Sequence, residues 1–371
     1  MVKFLHFEPL GDGENMGGRV KRAGGGATKV KTMEQFAAVV GLSRPTVSKF
    51  FDDPKSVRTS TRARIEATLK DLNFRPNIFA VNLNRRRKKI IGLIVPDPMD
   101  HFYMALTCRI EAIANQAGYF VLQLNSNGRP ELEERSIATI ASMNVGGAII
   151  APLGIKSHAA KLKALGRKTP LVFVDAPLGA SEAFVGTNNH QSMPLIAEYL
   201  CRSGAAPVYF DMPAVNFNAV ERRKAYAATL ERLGLRPTFV ELGVTDQWNF
   251  EAITYEVARA TLRGPGFPSR TILCANDRVA FGVIAAINES GASVGAAPGC
   301  DYRVAGHDNQ PLSAYTSPPL TTVAQDTERM SQLAFDMLVG RMEDADGAAR
   351  AQRLAGETMK AVKDIVGFVR S

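Results

Sequence analysis

Membrane, disulfide and metal signatures are absent from this sequence of 371 residues. Its four cysteines are scattered without a CxxC pair, and its five histidines stand singly. Neither a disulfide framework nor a zinc site is therefore predicted, and the cysteines are expected to be reduced thiols. The best apolar run, Ile90–Val95, has the length of a strand, whereas a membrane-spanning helix needs about 20 apolar residues. The N-terminus lacks a sustained apolar segment, which predicts a cytoplasmic rather than a secreted protein.

Signatures of catalysis are also missing. There is no GxxxxGK[ST] phosphate loop, and the three glycines at 24–26 do not stand between a strand and a helix. No Ser/His/Asp triad is predicted, because the histidines are dispersed along the chain. We therefore do not expect an enzyme, a metal or a cofactor. Turnover assays on candidate sugars would test this expectation.

Negative charge is scarce in the first quarter of the chain. Residues 1–90 contain 19 Lys and Arg against 8 Asp and Glu, whereas the remainder contains 26 against 28. A front segment of this charge is typical of an element that binds a polyanion such as nucleic acid. A targeting arm or a solubilising tail has the same composition, so charge alone does not decide between them.

The first 29 residues are rich in glycine and basic residues, without hydrophobic periodicity. We predict a disordered arm over residues 1–29. Two interpretations stay open for it: loose phosphate contacts, or a translation start placed too early.

Three short helical patterns follow over residues 30–75. The first begins with a Thr-x-x-Gln capping box at Thr32 and ends at Gly41. Ser43 is a suitable cap for the second helix, and Pro45 is tolerated in its first turn. Two helices joined by a short turn that contains glycine, with a third helix beside them, form the helix-turn-helix pattern.

From residue 90 the pattern changes to alternating strands and helices. Apolar runs of strand length, such as IIGLIVP and PLVFVD, alternate with amphipathic segments of helical length. This alternation predicts parallel sheets covered by helices on both faces, and about 280 residues suffice for two doubly wound sheets. Polar groups follow several of the strands, at the edge where such sheets bind ligands.

The segment from TMEQFAAVVGLSRPTVSKFF to IIGLIVPD resembles the start of a lactose-repressor (LacI/GalR) family transcription regulator. Matches continue through the core, and the resemblance covers about residues 30–343. The matching positions include Ala37, Gly41, Thr46-Val47-Ser48, Arg75-Pro76-Asn77, Gly147-Ala148-Ile149-Ile150, Ala275-Asn276-Asp277 and Pro319-Leu320-Thr321-Thr322-Val323.

This resemblance implies a fold of α plus α/β class, with a helix-turn-helix head, a hinge helix and two parallel-sheet lobes of the periplasmic-binding-protein type. We expect the head over residues 30–75, the hinge and linker over 76–89, and an effector-binding and dimerisation core over 90–371. The expected first lobe comprises about 90–188 and 318–342. The expected second lobe comprises about 189–317 and 343–371.

The family's recognition helix corresponds to about residues 44–51, where Arg44, Pro45 and Lys49 stand at positions that reach base edges. Arg and Lys suit guanine O6 and N7, although a helix face that contacts only phosphate is an alternative for both. Pro45 has no hydrogen-bonding side chain, so the half-site sequence does not carry over. The resemblance implies DNA contacts by Thr32, Ser43, Arg44, Pro45, Thr46, Ser48, Lys49, Asn77, Ala80, Asn82 and Leu83.

The family's hinge corresponds to residues 76–84. Leu83 matches the leucine that enters the minor groove at a central CpG step and kinks the duplex. Asn77 and Asn82 fit backbone or groove contacts. The basic run at 85–89 either contacts phosphates or is a solvated linker.

The resemblance also implies an effector cavity between the lobes. Its chemistry suits a polyol, because carboxylates and amides bind vicinal hydroxyls and an aromatic face covers a sugar ring. His101 is equally compatible with a structural role, Trp248 with a place in the core, and Asp308 with a helix cap. The implied effector residues are Asp100, His101, Phe102, Asp175, Asn216, Asn218, Arg222, Trp248, Asn276, Asp308 and Gln325.

Our hypothesis is a homodimeric regulator that binds a pseudo-palindromic DNA operator under the control of a small sugar or polyol. The alternatives are a sugar-binding protein without a transcriptional role, which the missing signal segment and the head disfavour, and a regulator of a non-sugar metabolite such as a nucleobase. The sign of the effector's action on DNA binding is left open. No leucine-rich tetramerising tail is present, which favours a dimer.

Overall fold

The computed structural model describes residues 30, 32–75, 88–179, 182–202, 204–242, 247–344 and 369–370. It divides into two compact units, residues 1–81 and 82–371, each of which has its own core. The predicted arm (1–29) and most of the predicted hinge and linker lie outside the described residues. The implied DNA contacts Asn77, Ala80, Asn82 and Leu83 lie there too, and they stay predictions.

The first unit contains three helices: α1 (Met33–Val40), α2 (Arg44–Asp52) and α3 (Thr59–Leu72), with a short 3-10 helix at Pro54–Ser56. The predicted capping box at Thr32 is confirmed, since its hydroxyl accepts from the backbone of Gln35 and the Gln35 side chain accepts from Thr32. Gly41 ends α1 with a φ of 67°, the left-handed conformation that glycine adopts most readily. Phe36 and Ile65 are buried in the small core that joins the helices.

The first lobe of the second unit is a five-stranded parallel sheet. Its strands are β1 (Ile90–Val95), β2 (Phe120–Asn125), β3 (Gly147–Ile150), β4 (Leu171–Val174) and β5 (Phe184–Val185), in the order β2-β1-β3-β4-β5. Its helices are α4 (His101–Gln116), α5 (Pro130–Ser142) and α6 (Ala159–Gly166). Alternate residues of β1 enter two different apolar clusters, so both faces of the sheet are covered, as the uninterrupted apolar sequence of this strand predicts.

The second lobe is a four-stranded parallel sheet. Its strands are β6 (Val208–Phe210), β7 (Phe239–Val240), β8 (Thr271–Cys274) and β9 (Arg303–Ala305), in the order β7-β6-β8-β9. Its helices are α7 (Asn189–Cys201), α8 (Phe217–Arg232), α9 (Phe250–Arg263) and α10 (Asp277–Glu289). The predicted architecture of a helix-turn-helix head followed by two parallel-sheet lobes is therefore confirmed.

The chain continues through β10 (Thr322–Val323), which pairs with β11 (Val369–Arg370), and then returns to the first lobe in α11 (Thr327–Asp344). The expected boundary at residue 318 is wrong for the segment that contains β10. Leu320 and Val323 are buried in the apolar core of the second lobe, and Thr321 bridges Ala305 in β9. The segment changes lobe only after residue 324, because its apolar side chains complete the edge beside β9.

Within the described ranges, no helix combines the length and the apolarity that crossing a membrane requires. The same ranges contain no group of three or more His, Cys, Asp or Glu side chains arranged to hold a metal ion.

Candidate functional site

A small cavity lies between the two lobes, where the carboxyl ends of their strands meet. Ten of the eleven implied effector residues line it, although they come from segments as distant as 100 and 325. Those ten are Asp100, Phe102, Asp175, Asn216, Asn218, Arg222, Trp248, Asn276, Asp308 and Gln325. The topology brings them together because the loops that carry them follow the carboxyl ends of parallel strands. Parallel α/β sheets bind their ligands at this edge.

A buried ion pair joins Arg222 of α8 to Asp308, which follows β9. The guanidinium is 3.0 Å from Asp308 Oδ1 and also donates to Asn189 Oδ1 and to the carbonyl of Ala275. Gln325 Nε2 donates to the same carboxylate over 2.7 Å. Burial opposes ionisation of Asp308, but Arg222 and these hydrogen bonds outweigh it and hold the pKa of Asp308 below its usual range.

Asp175 follows β4 of the first lobe and contacts the second lobe. Its carboxylate accepts from Tyr103 Oη over 2.7 Å and from Asn218 Nδ2 over 2.8 Å. Burial raises the pKa of Asp175 to about 6, and the hydrogen bond from Tyr103 and the charge of Arg222 offset only part of this rise. A polar link between the lobes therefore passes through the cavity wall.

Two carboxylates that line the cavity have unusual backbone conformations. Asp175 has a φ of 65° and Asp308 a φ of 120°, both in the region that non-glycine residues rarely adopt. Such strain costs of order 1–3 kcal/mol per residue and is concentrated at functional sites. The surrounding hydrogen bonds hold both carboxylates at the cavity wall.

Asp100 begins α4 and lies beside a basic residue of the other lobe. Its Oδ1 accepts from the backbone of Phe102 over 2.9 Å and from Gln310 Nε2 over 3.2 Å. Its Oδ2 lies 3.2 Å from Arg278 Nη1. Burial raises the pKa of Asp100 to about 6, against the opposing charge of Arg278.

Arg278, near the start of α10, is the centre of an interlobe ionic cluster that we call the clasp: Arg278 with Asp97, Asp100 and Glu251. Nη1 contacts both aspartates of the first lobe, at 3.1 and 3.2 Å. Nε and Nη2 donate to Glu251 over 2.6 and 2.8 Å, and Nη2 also donates to the carbonyl of Trp248. All five N–H groups of this guanidinium are thus hydrogen-bonded within the protein.

Trp248 stands between the small cavity and a larger outer groove. Its indole is half-buried, packs against the backbone of Gly128 and stacks on Phe250 with 5.7 Å between ring centroids. The small cavity has a free volume of about 30 Å³, and the outer groove about 890 Å³. Met212 and Trp248 line both spaces, so movement of these two side chains would connect them.

The head presents the other set of implied contacts. Ser43 caps α2, and its hydroxyl lies 2.8 Å from that of Thr46. Arg44 is exposed and lies 2.6 Å from Glu34 of α1. The side chains of Pro45 and Lys49 are also exposed, and Ser48 is partly exposed. Thr32 is engaged in the capping box, which leaves its contact with DNA a prediction.

Comparison with known proteins gives one consistent assignment. The model of bacterial regulatory proteins of the lacI family matches residues 32–77, and that of the periplasmic binding protein-like domain matches residues 197–360. The chain therefore carries a lacI-family regulatory domain followed by a periplasmic-binding-protein-like domain.

Individual relatives align with most of the chain. The transcriptional regulator PtxS of Pseudomonas putida is 28% identical over 328 residues, covering 86% of this chain and 91% of that protein. The ribose operon repressor of Escherichia coli is 27% identical over 316 residues, covering 84% and 93%. Among solved structures, a lac repressor dimer bound to operator and the anti-inducer ONPF has a TM-score of 0.71 at 25% identity, covering 84% and 92%.

His101 is the one implied effector residue that does not line the cavity. Asp100 caps α4 and turns into the cavity, whereas His101, the first helical residue, lines a separate groove with Arg109. Successive helical residues point about 100° apart, so neighbours at a helix start face different surfaces.

Sequence reasoning missed Tyr103, Met212 and Phe250 in the cavity wall, and Arg278 behind it. Helical spacing was the available signal for Tyr103, which lies one turn after Asp100. For Arg278, the signal was a basic residue directly after the Asn-Asp pair between β8 and α10.

Asn216 and Asn276 combine two roles at the cavity edge. Each caps a helix, since Asn216 Oδ1 accepts from Ala219 over 3.1 Å and Asn276 Oδ1 accepts from Val279 over 2.9 Å. Each cap uses one of the two lone pairs of its amide oxygen, and Asn276 Nδ2 lies 3.8 Å from Met212 Sδ.

A Ser–His–Asp chain exists in the structure, contrary to the expectation that no such set would form. His307 Nδ1 lies 3.0 Å from Asp308 Oδ1, and His307 Nε2 lies 2.9 Å from Ser192 Oγ. Both Ser192 and His307 are fully buried and line none of the described cavities. Burial and the charge of Arg222 lower the pKa of His307 to about 4. This series of hydrogen bonds therefore positions Asp308, and its serine is not an accessible nucleophile.

Proposed function

We propose that this chain is a homodimeric transcriptional repressor whose affinity for a DNA operator is controlled by a small sugar or polyol bound between its lobes. The observation that carries the proposal is the convergence of ten implied effector residues on one interlobe cavity. They come from both lobes, so a ligand held by them would favour one arrangement of the lobes over another.

The cavity wall suits a hydroxyl-rich ring. Arg222 retains N–H groups beyond the three that it donates to protein acceptors, and Asp175 retains acceptor capacity. Trp248 and Phe250 provide aromatic faces of the kind that cover the apolar side of a sugar. Carboxylate, guanidinium and amide groups would pair with vicinal hydroxyls.

The small free volume supports a coupling between binding and movement. A space of about 30 Å³ holds about one water molecule, so a sugar would enter only as the walls move. Displacement of Trp248 toward the outer groove, or separation of the lobes at the clasp, would make the room. Either movement gives the ligand a different affinity for two conformations, which a ligand-controlled switch requires.

The DNA side of the proposal rests on the exposed face of α2 and on the charge of the front segment. Arg44, Pro45 and Lys49 would face the major groove, and Leu83 would enter the minor groove at a central CpG step. A dimer would place two heads on a pseudo-palindrome. The similar lac repressor structure, a dimer bound to operator, supports this arrangement.

A nucleobase is the second candidate effector. Four aromatic side chains line the cavity, and amides from both lobes accompany them. Planar heterocycles stack on such rings and pair with amide groups. The aromatic lining consists of Phe102, Tyr103, Trp248 and Phe250.

A thermal-shift screen of sugars, polyols and nucleobases on the full chain separates these candidates. A ligand at about 100 times its Kd adds about 2.7 kcal/mol to the free energy of unfolding. We expect a polyol to stabilise the wild type and to change the fluorescence of Trp248 saturably. Stabilisation by a nucleobase alone would replace the polyol proposal with the second candidate.

A further inference from the structure

The described lining of the cavity contains more negative than positive side chains. Arg222 is the only basic residue among the described lining residues, whereas three carboxylates line the same space. Arg278 lies directly behind Asp100 and adds a second positive charge. The three lining carboxylates belong to Asp100, Asp175 and Asp308.

Both guanidinium groups already have carboxylate partners. Arg278 donates all five of its N–H groups to protein acceptors, including Asp97 and Glu251. Arg222 is paired with Asp308 at 3.0 Å. It can still donate a hydrogen bond to a hydroxyl, but its positive charge is already balanced. An anionic ligand would therefore find no unpaired cation among the described residues around the cavity.

Asp175 is the carboxylate that no arginine neutralises by direct contact. Within the described part of the chain, its partners are neutral: Tyr103, whose hydroxyl donates over 2.7 Å, and Asn218, whose amide donates over 2.8 Å. Each carboxylate oxygen accepts two hydrogen bonds, so acceptor capacity remains. The surroundings are poorly hydrated, which makes the charge of Asp175 act over a longer range than at a surface.

We propose that this cavity selects its effector by charge, accepting neutral or ammonium-bearing polyols and rejecting sugar acids and sugar phosphates, with Asp175 as the residue that sets the selection. This inference rests on the proposed function. Neutral hydroxyls pair with Asp175 without a net charge, and an ammonium gains an attractive partner. A ligand carboxylate or phosphate enters beside an uncompensated negative charge.

The test is a titration of the full chain with matched ligands, followed by Trp248 fluorescence and checked by calorimetry. One series contains D-glucose, D-glucosamine, D-gluconate and D-glucose 6-phosphate, and a second contains D-ribose and D-ribose 5-phosphate. We expect each anion to bind at least about tenfold more weakly than its neutral counterpart. In Asp175→Asn, which keeps the shape of the side chain, this ratio should fall by about tenfold.

The matched control is Glu256→Gln, which also removes one negative charge but lies in an exposed pair with Arg259 on α9. Its ratio should equal that of the wild type. Binding of a sugar acid or sugar phosphate as tightly as its neutral counterpart would overturn the inference, and so would an unchanged ratio in folded Asp175→Asn. If no compound of either series binds, the polyol effector itself is contradicted, and the charge selection falls with it.

Discussion

In the described part of the head every buried residue is apolar, whereas the second unit buries aspartates, arginines and a histidine. The head exposes its basic side chains, and its core is a small set of apolar residues such as Phe36 and Ile65. A surface that binds DNA phosphates needs its charges in solvent, where they can reach the duplex. A cavity that recognises a small ligand needs charges held in fixed orientations by buried hydrogen bonds. The same residue types thus serve two purposes, distinguished by burial.

The largest expected effect is a complete loss of specific DNA binding, with effector binding kept, when residues 1–89 are removed. A chain that begins at Ile90 should keep the apolar clusters of both lobes and the cavity residues, and should bind the effector like the full chain. It should show no specific DNA affinity, because the basic segment at residues 1–89 is gone. Electrophoretic mobility shift and calorimetry on the two chains measure both properties. Specific DNA binding by the shorter chain would contradict the assignment of DNA binding to the first unit and of effector binding to the second.

Removing one partner of the buried pair of Arg222 and Asp308 should have the next largest effect. It should lower the stability of the second unit only. Arg222→Met leaves Asp308 buried without its cation, which should lower the free energy of unfolding by about 3–5 kcal/mol. Urea unfolding followed by Trp248, the only tryptophan, reports this change.

The double variant Arg222→Met with Asp308→Leu removes both charges and should recover most of the lost stability. It should not recover effector binding. Equal stability of the single and double variants would contradict the explanation that the unpaired charge of Asp308 causes the loss of stability. Asp308→Ala alone does not separate a ligand role from a structural one, because Asp308 also contacts His307 and Gln325.

The clasp should have a smaller effect on stability. Arg278→Met leaves Asp97 and Asp100 without their cation, and we expect a loss of about 2–3 kcal/mol, below that of a fully buried pair because Glu251 is partly exposed. Arg259→Met is the matched control, because its pair with Glu256 is exposed to solvent and contributes little to stability. A similar loss in both variants, measured by urea unfolding, would contradict an interlobe role for Arg278.

Asp277 gives a test by pH. It is fully buried, and burial and the charge of Asp308 raise its pKa to about 7, although Thr322 and the backbone of Gln310 donate to it. The folded state therefore binds a proton that the unfolded state releases near pH 4, so its stabilising contribution is lost as the pH rises through about 7. Asp277→Asn should cost about 2–3 kcal/mol more at pH 5 than at pH 8. A cost that rises with pH would contradict the raised pKa.

The smallest expected effect belongs to the head. Glu34→Gln removes the exposed partner of Arg44 and should change the free energy of unfolding of the head by less than about 0.5 kcal/mol. It should increase DNA affinity several-fold, because a negative charge near the phosphates is gone and Arg44 is released. Fluorescence anisotropy at one salt concentration measures this. Reduced affinity would indicate that Glu34 positions Arg44 for base contact.

Local signals in the sequence predicted the head well. The capping box at Thr32 and the glycine at 41 act within a few residues of chain, so they can be recognised without knowing the tertiary structure. The strands of the core were equally predictable from apolar runs such as Ile90–Val95. The residue at which the chain leaves the second lobe was not predictable, because no local pattern shows that Thr321 pairs with Ala305.

The family resemblance supplied most of the residues that line the candidate site. The side-chain contacts between residues that are remote in the sequence could not be predicted. No local pattern indicates that Arg278 contacts Asp97 and Asp100, which precede it by 181 and 178 positions. The Ser192–His307 contact also joins remote parts of the chain, 115 positions apart. The Arg278 contacts depend on the packing of one lobe against the other, and the Ser192–His307 contact depends on packing within the second lobe. Sequence periodicity contains neither.

The central claim is that the interlobe cavity controls DNA affinity, and one measurement tests it directly. An operator is first selected from random duplexes with the full chain, and its affinity is measured at fixed salt with and without the polyol that stabilises the protein most. We predict that the polyol changes the operator Kd by at least about fivefold, the lower range of allosteric coupling, and that the double variant Arg222→Met with Asp308→Leu binds the operator without responding. An operator affinity indifferent to a polyol that demonstrably binds the wild-type cavity would contradict the account.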